Sequence, residues 1–464
     1  FSVPTLVDGA PNEEMKNFFN QKSEKIIILD KLTPEVISKH LANNNLGFEG
    51  VKEGTLYHHR RILSDGQLIF LANSSLTGPI NGSITTNGKD ALEMNTLTGE
   101  IYGHQCTQNG DEVRLSYSIP PAGSLLLYIP DKKITGYTIS AKTENKTPVM
   151  ASSPLKVSRN EDNALMIDFC DLKIGKNLIK DIHVAEATDT VFKIFGFKNG
   201  DPWNTSVQYK TNIIDRDTFK PGTGFTATFH FTIKGSFDFS NIKTVIERPW
   251  LWTVSVNGIE VKPEKDRWWL DRSFGVFNIG ANVRTGDNTI TLHTSPMKIH
   301  AETGFVYVLG NFSLKPAEKG WVIEKPASEY TMGKWKDQGM PFYSWGVTYS
   351  REFNIEKNEG TWEIGLTGWN GTIAEVYVNG KPAEPVAFPP YLTNVTSLIK
   401  PGINKIDVKV IGSLKNLLGP HHKEPRPGFV TPNYWKKNKS YPAGKDYHMT
   451  DYGLFEDFIL FSEK

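Results

Sequence analysis

The stretch YHHRRILSDGQLIFLANSS, residues 57–75, concentrates groups that could do chemistry. It places two histidines and two arginines directly before an Asp-Gly turn and an apolar run. Such a cluster could form a metal site, a phosphate clamp or part of a hydrolase centre. Because successive side chains of a strand point to opposite faces, His58 and His59 cannot easily bind one ion. The pattern predicts a β-hairpin with solvated or paired basic residues, of which His59 or Arg60 could face a neighbouring domain.

A second candidate is the pair of carboxylates in ALMIDFCDLKIG, Asp168 and Asp171. Two carboxylates can serve as the acid and base of glycoside hydrolysis, where a separation of about 5 Å or more sets the stereochemical outcome. Three residues apart in a strand, however, they point to opposite faces. We therefore interpret them as polar positions at a strand edge.

Histidines and tryptophans supply two further candidates for ligand binding. HHKEPRPGF, which begins with His421 and His422, is loop-like and could line a pocket or be a solvated loop. DRWWLDRSF contains Trp268, Trp269 and Asp271. In an extended chain the two adjacent indoles point to opposite faces, so at most one lies in the core. The other needs a partner, such as a sugar or a neighbouring domain.

No familiar catalytic motif accompanies these groups. The sequence contains no Gly-x-Ser-x-Gly elbow, Walker loop, dinucleotide fingerprint or His-Glu-x-x-His helix. This absence is weak evidence against an enzyme, because glycosidases need only two carboxylates without a local signature.

Composition bounds the class of protein. The 464 residues include 52 Lys and Arg and 51 Asp and Glu, a formal net charge of +1 that argues against nucleic acid or an anionic membrane as partner. No apolar run approaches the roughly 20 residues of a membrane helix. Two cysteines are too few for a zinc cluster or a disulfide scaffold, and we expect no metal or cofactor. The 53 aromatic residues (11 Trp, 16 Tyr and 26 Phe) and 40 Gly favour a β-rich protein with many turns.

The local patterns divide the chain into four predicted segments. Residues 1–50 combine two helix-like stretches, EEMKNFFNQ and TPEVISKHLANN, with the strand-like KIIILD, an α/β fragment too small to fold alone. Residues 51–145 predict a small β-sandwich. Residues 146–318 and 319–464 predict two larger β-sandwiches, so the expected fold class is mainly β.

The two larger segments contain an internal repeat. FTIKGSFDFSNIKTVIERPWLWTVSVNG and FNIEKNEGTWEIGLTGWNGTIAEVYVNG both end in Asn-Gly, and in each an isoleucine precedes that Asn by the same interval. Each segment continues to a Gly-x-Asn turn before an alternating strand, GDNTITLHT and GINKIDVKV. Asn-Gly supplies the positive φ angles of a tight hairpin turn. Two related β-sandwiches follow from this register.

The order of these segments resembles the C-terminal half of family 106 glycoside hydrolases, the α-L-rhamnosidases. The resemblance rests on YHHRRILSDGQLIFLANSS, ALEMNTLTGEIY, PPAGSLLLYI, ALMIDFCDLKIG, DRWWLDRSFGVFNIGANVRTGDNTI, ETGFVYVLGNFSL and WNGTIAEVYVNGKP…GINKIDVKVIGSLKNLLGPHH. The last segment also resembles the sugar-binding sandwich of family 2 glycosidases. The final motif departs from the polar, Trp-rich ending of many family members, which leaves the sugar preference open.

The resemblance implies two galactose-binding-like jelly rolls, a short N-terminal remnant of the catalytic region, and an upstream catalytic barrel in the same polypeptide. It implies no catalytic residue in this chain, a carbohydrate partner, a periplasmic or extracellular location, and a role in polysaccharide breakdown. Structural calcium occurs in such sandwiches, but no ligand loop supports it here. Expected carbohydrate-binding residues are Trp268, Trp269, Asp271, Trp369, His421 and His422.

Two alternatives stay open at this point. The chain could be a complete carbohydrate-active enzyme, a lyase or hydrolase with a site between the sandwiches that uses Asp271, His421 or His422. It could also be a free-standing carbohydrate-binding protein. Paired carboxylates in a deep cleft would favour catalysis, and a shallow groove with exposed Trp268 or Trp369 would favour binding.

Overall fold

A computed structural model describes residues 6–8, 10–21, 31, 33, 35–36, 45–50, 54–139, 146–205, 207–423, 430–431, 434–435 and 440–463. The chain divides into two compact units, residues 1–142 and 143–464. Both are built mainly of antiparallel strands, which confirms the predicted mainly β fold class. In the described part of the chain no helix is long and apolar enough to cross a membrane.

The described residues of the first unit include helix α1 and a series of short strands. These are β1 Leu6–Val7, β2 Ala10–Pro11, α1 Glu13–Asn20, β3 Leu46–Glu49, β4 Leu56–Ile62, β5 Gly66–Asn73, β6 Ile80–Asn87, β7 Leu92–Met94, β8 Ile101–Gly103, β9 Cys106–Asn109, β10 Glu112–Ile119 and β11 Ser124–Pro130. Helix α1 falls within the predicted EEMKNFFNQ stretch and is capped by the preceding Asn12, whose side chain accepts a hydrogen bond from the Met15 amide at 2.8 Å. The predicted strand 25–30 and most of the second predicted helix lie outside the described residues.

Two sheets of the first unit share one hydrophobic core. Their strand orders are β3-β6-β10-β9 and β4-β5-β11-β7-β8. Strand β10 alternates exposed and buried residues along its whole length, as expected of a strand with one face in water. Its inward side chains, including Val113 and Leu115, meet Ile69 and Leu71 of β5 in this core.

The described residues of the second unit form the remaining elements. Its strands are β12 Thr147–Val149, β13 Lys156–Arg159, β14 Asn163–Ile167, β15 Phe169–Ile174, β16 Asn177–His183, β17 Phe225–Ile233, β18 Lys243–Glu247, β19 Thr253–Val256, β20 Ile259–Val261, β21 Trp268–Trp269, β22 Asp271–Asn278, β23 Gly286–Thr294, β24 Val306–Gly310, β25 Ser313–Pro316, β26 Trp321–Glu324, β27 Gly346–Ile355, β28 Thr361–Gly365, β29 Trp369–Asn370, β30 Ile373–Val378, β31 Lys381–Pro382, β32 Leu392–Asn394, β33 Gly402–Ile411, β34 Gly453–Leu454 and β35 Ile459–Glu463. Its α-helices are α2 Val184–Ile194 and α3 Lys415–Leu418, and its 3-10 helices are Pro202–Asn204, Lys210–Asn212, Ile214–Arg216, Pro249–Leu251, Trp335–Gln338 and Gly444–Asp446.

These strands form two layered bodies, each around its own hydrophobic core. A five-stranded sheet, β14-β24-β18-β22-β21, shares the first core with an eight-stranded sheet that runs β16-β15-β17-β23-β19-β20 and also includes β25 and β26. A four-stranded sheet, β12-β35-β28-β32, shares the second core with a five-stranded sheet, β13-β27-β33-β30-β31. We call these bodies the first and second sandwich.

Strand pairing crosses the predicted segment limits. Strands β12 and β13 precede the first sandwich in sequence but pair with β35 and β27 of the second. Strand β26, which follows residue 318, pairs with β17 of the first sandwich. Such exchanges link the two bodies through hydrogen-bonded backbone, which a local sequence pattern cannot reveal. The segment limits themselves stay a prediction.

The internal repeat appears in the structure as two equivalent hairpin networks. Ile233 pairs with Gly286 in the first sandwich, and Ile355 pairs with Gly402 in the second. At the ends of β19 and β30, Asn257 and Asn379 adopt positive φ angles of 50° and 53°. The predicted register and turn chemistry are therefore both present.

A buried asparagine completes each network. The side-chain amide of Asn257 donates to Asn288 Oδ1 at 2.9 Å, and that of Asn379 donates to Asn404 Oδ1 at 2.9 Å. Asn288 and Asn404 are both buried, and each in turn donates to a backbone carbonyl four residues earlier. The Asn of the Gly-x-Asn signal thus provides hydrogen-bond partners for polar backbone groups of the turn that other backbone groups leave unpaired.

Candidate functional site

A tight tryptophan hairpin stands at the edge of the five-stranded sheet. Strand β21 pairs with β22 so that Trp268 lies opposite Gly275 and Trp269 lies opposite Asp271, with an irregular register between the two pairs. Leu270 makes the reversal with a φ of 63°, a conformation that costs a non-glycine residue free energy. Backbone strain of this kind persists where the surroundings fix it, often beside functional sites.

The hairpin separates the two indoles as strand alternation predicted. Trp268 is 54% exposed, whereas Trp269 is half-buried against the first core. Trp269 packs against Tyr307 and Trp345, with ring centroids 5.0 and 5.4 Å away. One indole is thus anchored while the other is left open to a partner.

Together with this hairpin, Trp345 lines a pocket. It precedes β27 and packs against both hydrophobic cores, so it lies where the two sandwiches meet. A cavity of about 320 Å³ opens here, which we call the tryptophan pocket; it is lined by Glu161, Asp162, Lys243, Arg267, Trp268, Trp269, Val276, Leu309 and Trp345. Its size is at the lower end of the range for small-molecule sites.

Charged groups surround these indoles in fixed pairs. Lys243 Nζ lies 3.0 Å from Asp162 Oδ2, and Arg267 donates to Glu264 at 2.6 Å. These pairs leave oxygen acceptors and N–H donors beside apolar ring faces. The pocket therefore offers stacking surface together with hydrogen-bonding groups of both kinds, as recognition of a polyhydroxylated ring requires.

The other predicted binding residues lie elsewhere. Asp271 is exposed and accepts hydrogen bonds from the hydroxyl and amide of Ser273, which lower the pKa of its carboxyl. Trp369 is half-buried in the second sandwich, where it makes an edge contact with Tyr391 at 5.4 Å. Neither residue lines the tryptophan pocket.

The side chains of His421 and His422 are buried, so the solvated-loop interpretation of HHKEPRPGF is wrong for its first two residues. His421 is 2% exposed and its Nε2 lies 2.8 Å from the Asn416 carbonyl. The side chain of His422 is 5% exposed and its Nε2 lies 2.5 Å from Asp168 Oδ2. Burial removes both imidazoles from contact with a large ligand, and we do not include them in the candidate binding site.

The predicted strand-edge position of Asp168 is also wrong. Its side chain is fully buried rather than at a strand edge, and Tyr447 donates to its Oδ1 at 2.7 Å. His183 Nε2 lies 3.7 Å from Oδ2, on the side of the carboxylate that also faces His422. Asp171 points to other surroundings, where it pairs with His230, so the predicted separation of the two carboxylates is correct.

The electrostatics of this buried cluster favour an ionised Asp168 beside neutral His183 and His421. Burial opposes ionisation of Asp168, but the His422 hydrogen bond and the nearby imidazoles hold the pKa of its carboxyl below its usual value. Burial lowers the pKa of His183 and of His421 to about 4. Burial and the Asp168 charge raise the pKa of Tyr447, which therefore stays a donor.

Asp168, His183 and His422 also have the residue types and proximity of a metal site, since their ligand atoms lie within 4.8 Å of one another. The hydrogen bonds of His183, however, place its ring proton on the nitrogen that a metal would need. His183 Nδ1 accepts the Ala185 amide at 3.2 Å, which places the proton of a neutral ring on Nε2, the atom nearest Asp168. A protonated nitrogen has no lone pair for a metal, so the arrangement is that of a hydrogen-bonded carboxylate clasp.

The hairpin that opened the sequence analysis lies in the first unit. Strands β4 and β5 pair from Leu56–Asn73 to Ile62–Gln67, which confirms the predicted turn. His59 is exposed, and Arg60 is half-buried with its Nε donating to Gln67 Oε1 at 2.6 Å. That either residue faces a neighbouring domain stays a prediction.

Sequence reasoning missed Trp345, Tyr447 and the burial of Asp168. The two aromatic residues stand in stretches without periodic pattern or turn signal, and each acquires its role from a partner more than 70 positions away, Trp269 for Trp345 and Asp168 for Tyr447. Asp168 directly follows an apolar run, NALMI, that is buried along its whole length. That run was the one available signal that the carboxylate enters the core.

No family model matches the chain. A segment of 113 residues is 30% identical to a putative beta-glucuronidase from Formosa agariphila and covers 21% of this chain and 10% of that protein. Among solved structures, the chain is similar to a rhamnosidase from Novosphingobium sp. PP1Y at 12% identity and a TM-score of 0.42, over 93% of this chain and 26% of that one. It is also similar to an alpha-L-rhamnosidase from Streptomyces avermitilis at 13% identity and a TM-score of 0.25, over 86% and 38% of the two chains.

Proposed function

We propose that this chain is the accessory, carbohydrate-binding part of a rhamnosidase-like glycoside hydrolase and that the tryptophan pocket holds the saccharide. The single observation that carries the proposal is the grouping of exposed Trp268 with anchored Trp269 and Trp345 around a small polar-rimmed cavity. The apolar faces of a sugar ring stack on indoles, and its hydroxyls can reach the paired charges at the rim.

The accessory role rests on two further considerations. The ordered segments resemble the β-domains that follow the catalytic barrel in family 106 glycoside hydrolases, and a putative beta-glucuronidase contains a similar segment. In this proposal the upstream barrel hydrolyses the polysaccharide. The galactose-binding-like sandwiches brace that barrel and bind the polysaccharide. A periplasmic or extracellular location belongs to the same proposal.

Isothermal titration of the purified chain with L-rhamnose and rhamnose-containing oligosaccharides tests the site. We expect Trp268→Ala to weaken binding at least about tenfold, because stacking on the open indole is lost. Trp250→Ala is the matched control, since Trp250 is another exposed indole, 65% accessible, that does not line the pocket. Equal affinity of the Trp268 variant and the wild type would overturn the proposed site.

Activity measurements test the accessory role separately. The purified chain should release no sugar from nitrophenyl α-L-rhamnoside or from the same oligosaccharides. Appreciable turnover by the chain alone would overturn the accessory role, whatever the binding experiments show.

A further inference from the structure

A second, larger cavity lies on the outer face of the eight-stranded sheet. Its volume is about 1270 Å³, compared with about 320 Å³ for the tryptophan pocket. His230 and Thr232 of β17, together with Asp287 of β23, line its floor. We call this cavity the sheet groove.

One wall of the sheet groove is built by two segments distant in sequence. The turn between β25 and β26 is joined to the C-terminal segment, because the Gly320 amide donates to the Pro442 carbonyl at 2.8 Å and the Gly444 amide to the Ala317 carbonyl at 3.0 Å. Tyr441 stands in this wall and stacks on Phe169 with ring centroids 4.4 Å apart. The wall is therefore fixed by backbone bonds and by ring packing.

Irregular backbone marks the same groove. Asp181 lines it with a φ of 51°, and its amide donates to Asp171 Oδ1 at 3.0 Å. The pairing of β15 with β16 shifts register between Cys170 and Leu172, so Asp171 has no partner in β16, although it pairs with Thr228 of β17. Bulges and left-handed non-glycine residues re-aim side chains and concentrate near functional sites.

Polar side chains at and beside this bulge form hydrogen-bonded pairs along the groove. Asp171 Oδ2 lies 3.1 Å from His230 Nε2, and Lys319 donates to Asp181 Oδ2 at 2.5 Å. Thr232 donates to Asp287 at 2.8 Å on the neighbouring strand. Strained backbone thus holds an imidazole and two carboxylates on one surface.

The charges of the groove indicate the class of ligand. Four lysines and four carboxylates line it: Lys234, Lys315, Lys319, Lys445, Asp181, Asp287, Glu318 and Asp446. This balance disfavours both polyanions and polycations. Hydroxyl groups can donate to the carboxylates and accept from the lysines, while Trp321 and Tyr441 supply apolar ring surface.

We propose that the sheet groove is a second saccharide-binding site, which holds several consecutive units of a neutral oligosaccharide. The inference rests on the proposed carbohydrate-binding function and extends it from one sugar ring to a chain. The groove exceeds the usual volume of a small-molecule pocket, whereas the tryptophan pocket suits a single ring or a chain end. The two sites then bind different lengths of ligand.

The test compares ligand length across variants. L-rhamnose and neutral rhamnan fragments from disaccharide to octasaccharide are titrated calorimetrically into wild type, Trp268→Ala, and a double variant with His230→Ala and Asp287→Ala. His293→Ala is the matched control, since His293 is exposed on the same face of β23 but outside the groove. All four proteins are checked for equal unfolding midpoints.

We expect the double variant to bind the octasaccharide at least about tenfold more weakly than wild type and to bind L-rhamnose equally well. The Trp268 variant should show the reverse pattern, with its larger loss for L-rhamnose, and His293→Ala should match wild type. Unchanged octasaccharide affinity of the double variant would overturn the groove and leave the tryptophan pocket standing. Wild type that binds none of these sugars overturns both proposals.

Discussion

Nε2 of His422 lies 2.5 Å from Oδ2 of Asp168, although the two residues are 254 positions apart in the chain. Asp168 belongs to the connection between β14 and β15 of the first sandwich, and His422 follows α3 in the C-terminal segment. Tyr447 donates to the other oxygen of the same carboxylate. One buried anion thus joins segments from opposite ends of the second unit.

Removing a donor from this clasp should destabilise the second unit. His422→Ala leaves a fully buried carboxylate without its shortest hydrogen bond, and we expect a loss on the order of 3 kcal/mol in the free energy of unfolding. All 11 tryptophans lie after residue 142, so selectively excited tryptophan fluorescence during denaturant unfolding reports on the second unit alone. His293→Ala serves as the exposed control, and equal midpoints for the two variants would contradict this role of His422.

Stability of the second unit should fall on acidification. In the folded state the pKa values of His183 and His421 are lowered to about 4, against about 6.5 in the unfolded chain. Between these values the unfolded state binds protons that the folded state excludes, so this contribution is complete above about pH 6.5 and is lost as the pH falls towards 4. Asp168, whose folded pKa is also lowered, extends the loss to still lower pH.

Denaturant midpoints followed by tryptophan fluorescence across this pH range check the prediction. We expect a decrease of a few kcal/mol in the free energy of unfolding, of which each buried histidine supplies roughly 2 to 3 kcal/mol. A midpoint that stays constant from neutral pH to about pH 4 would show that the two imidazoles are not held neutral.

The tryptophans of the pocket should separate stability from binding. Trp345→Ala removes a ring that packs against both hydrophobic cores, and we expect a loss of about 2 to 3 kcal/mol. Trp268→Ala removes an exposed ring and should change the free energy of unfolding by less than about 0.5 kcal/mol. Chemical denaturation of both variants provides the measurement; a large loss for Trp268→Ala would mean that this ring serves the fold.

Breaking either of the two repeat networks should lower the free energy of unfolding of the second unit by the same amount. Asn288→Ala and Asn404→Ala each leave buried backbone groups unpaired, and we expect each to destabilise the second unit by about 2 to 3 kcal/mol. Asn177→Ala, at an exposed position beside the turn of β15 and β16, is the control and should have little effect. A cost confined to one of the two buried positions would show that the networks are not equivalent.

Local patterns predicted those parts of the molecule whose partners are close in sequence. The Asp-Gly turn predicted the hairpin of β4 and β5, because a tight turn fixes its own register. Alternation predicted the divergence of Trp268 from Trp269. Asp168 escaped prediction, because a polar residue after an apolar run is ordinarily placed at a strand edge, and its buried partners lie far along the chain.

By itself the sequence determined the mainly β fold, the two turns of the repeat and their common register. Turn residues and period-2 patterns depend on interactions within a few positions. The turns and strands that they form can therefore be predicted without the rest of the chain. Tertiary structure alone decided that Trp345 closes a pocket over Trp269, that His422 reaches Asp168, and that β12 and β13 pair with the second sandwich. These contacts depend on which distant surfaces bury one another, and that depends on the summed packing of both sandwiches.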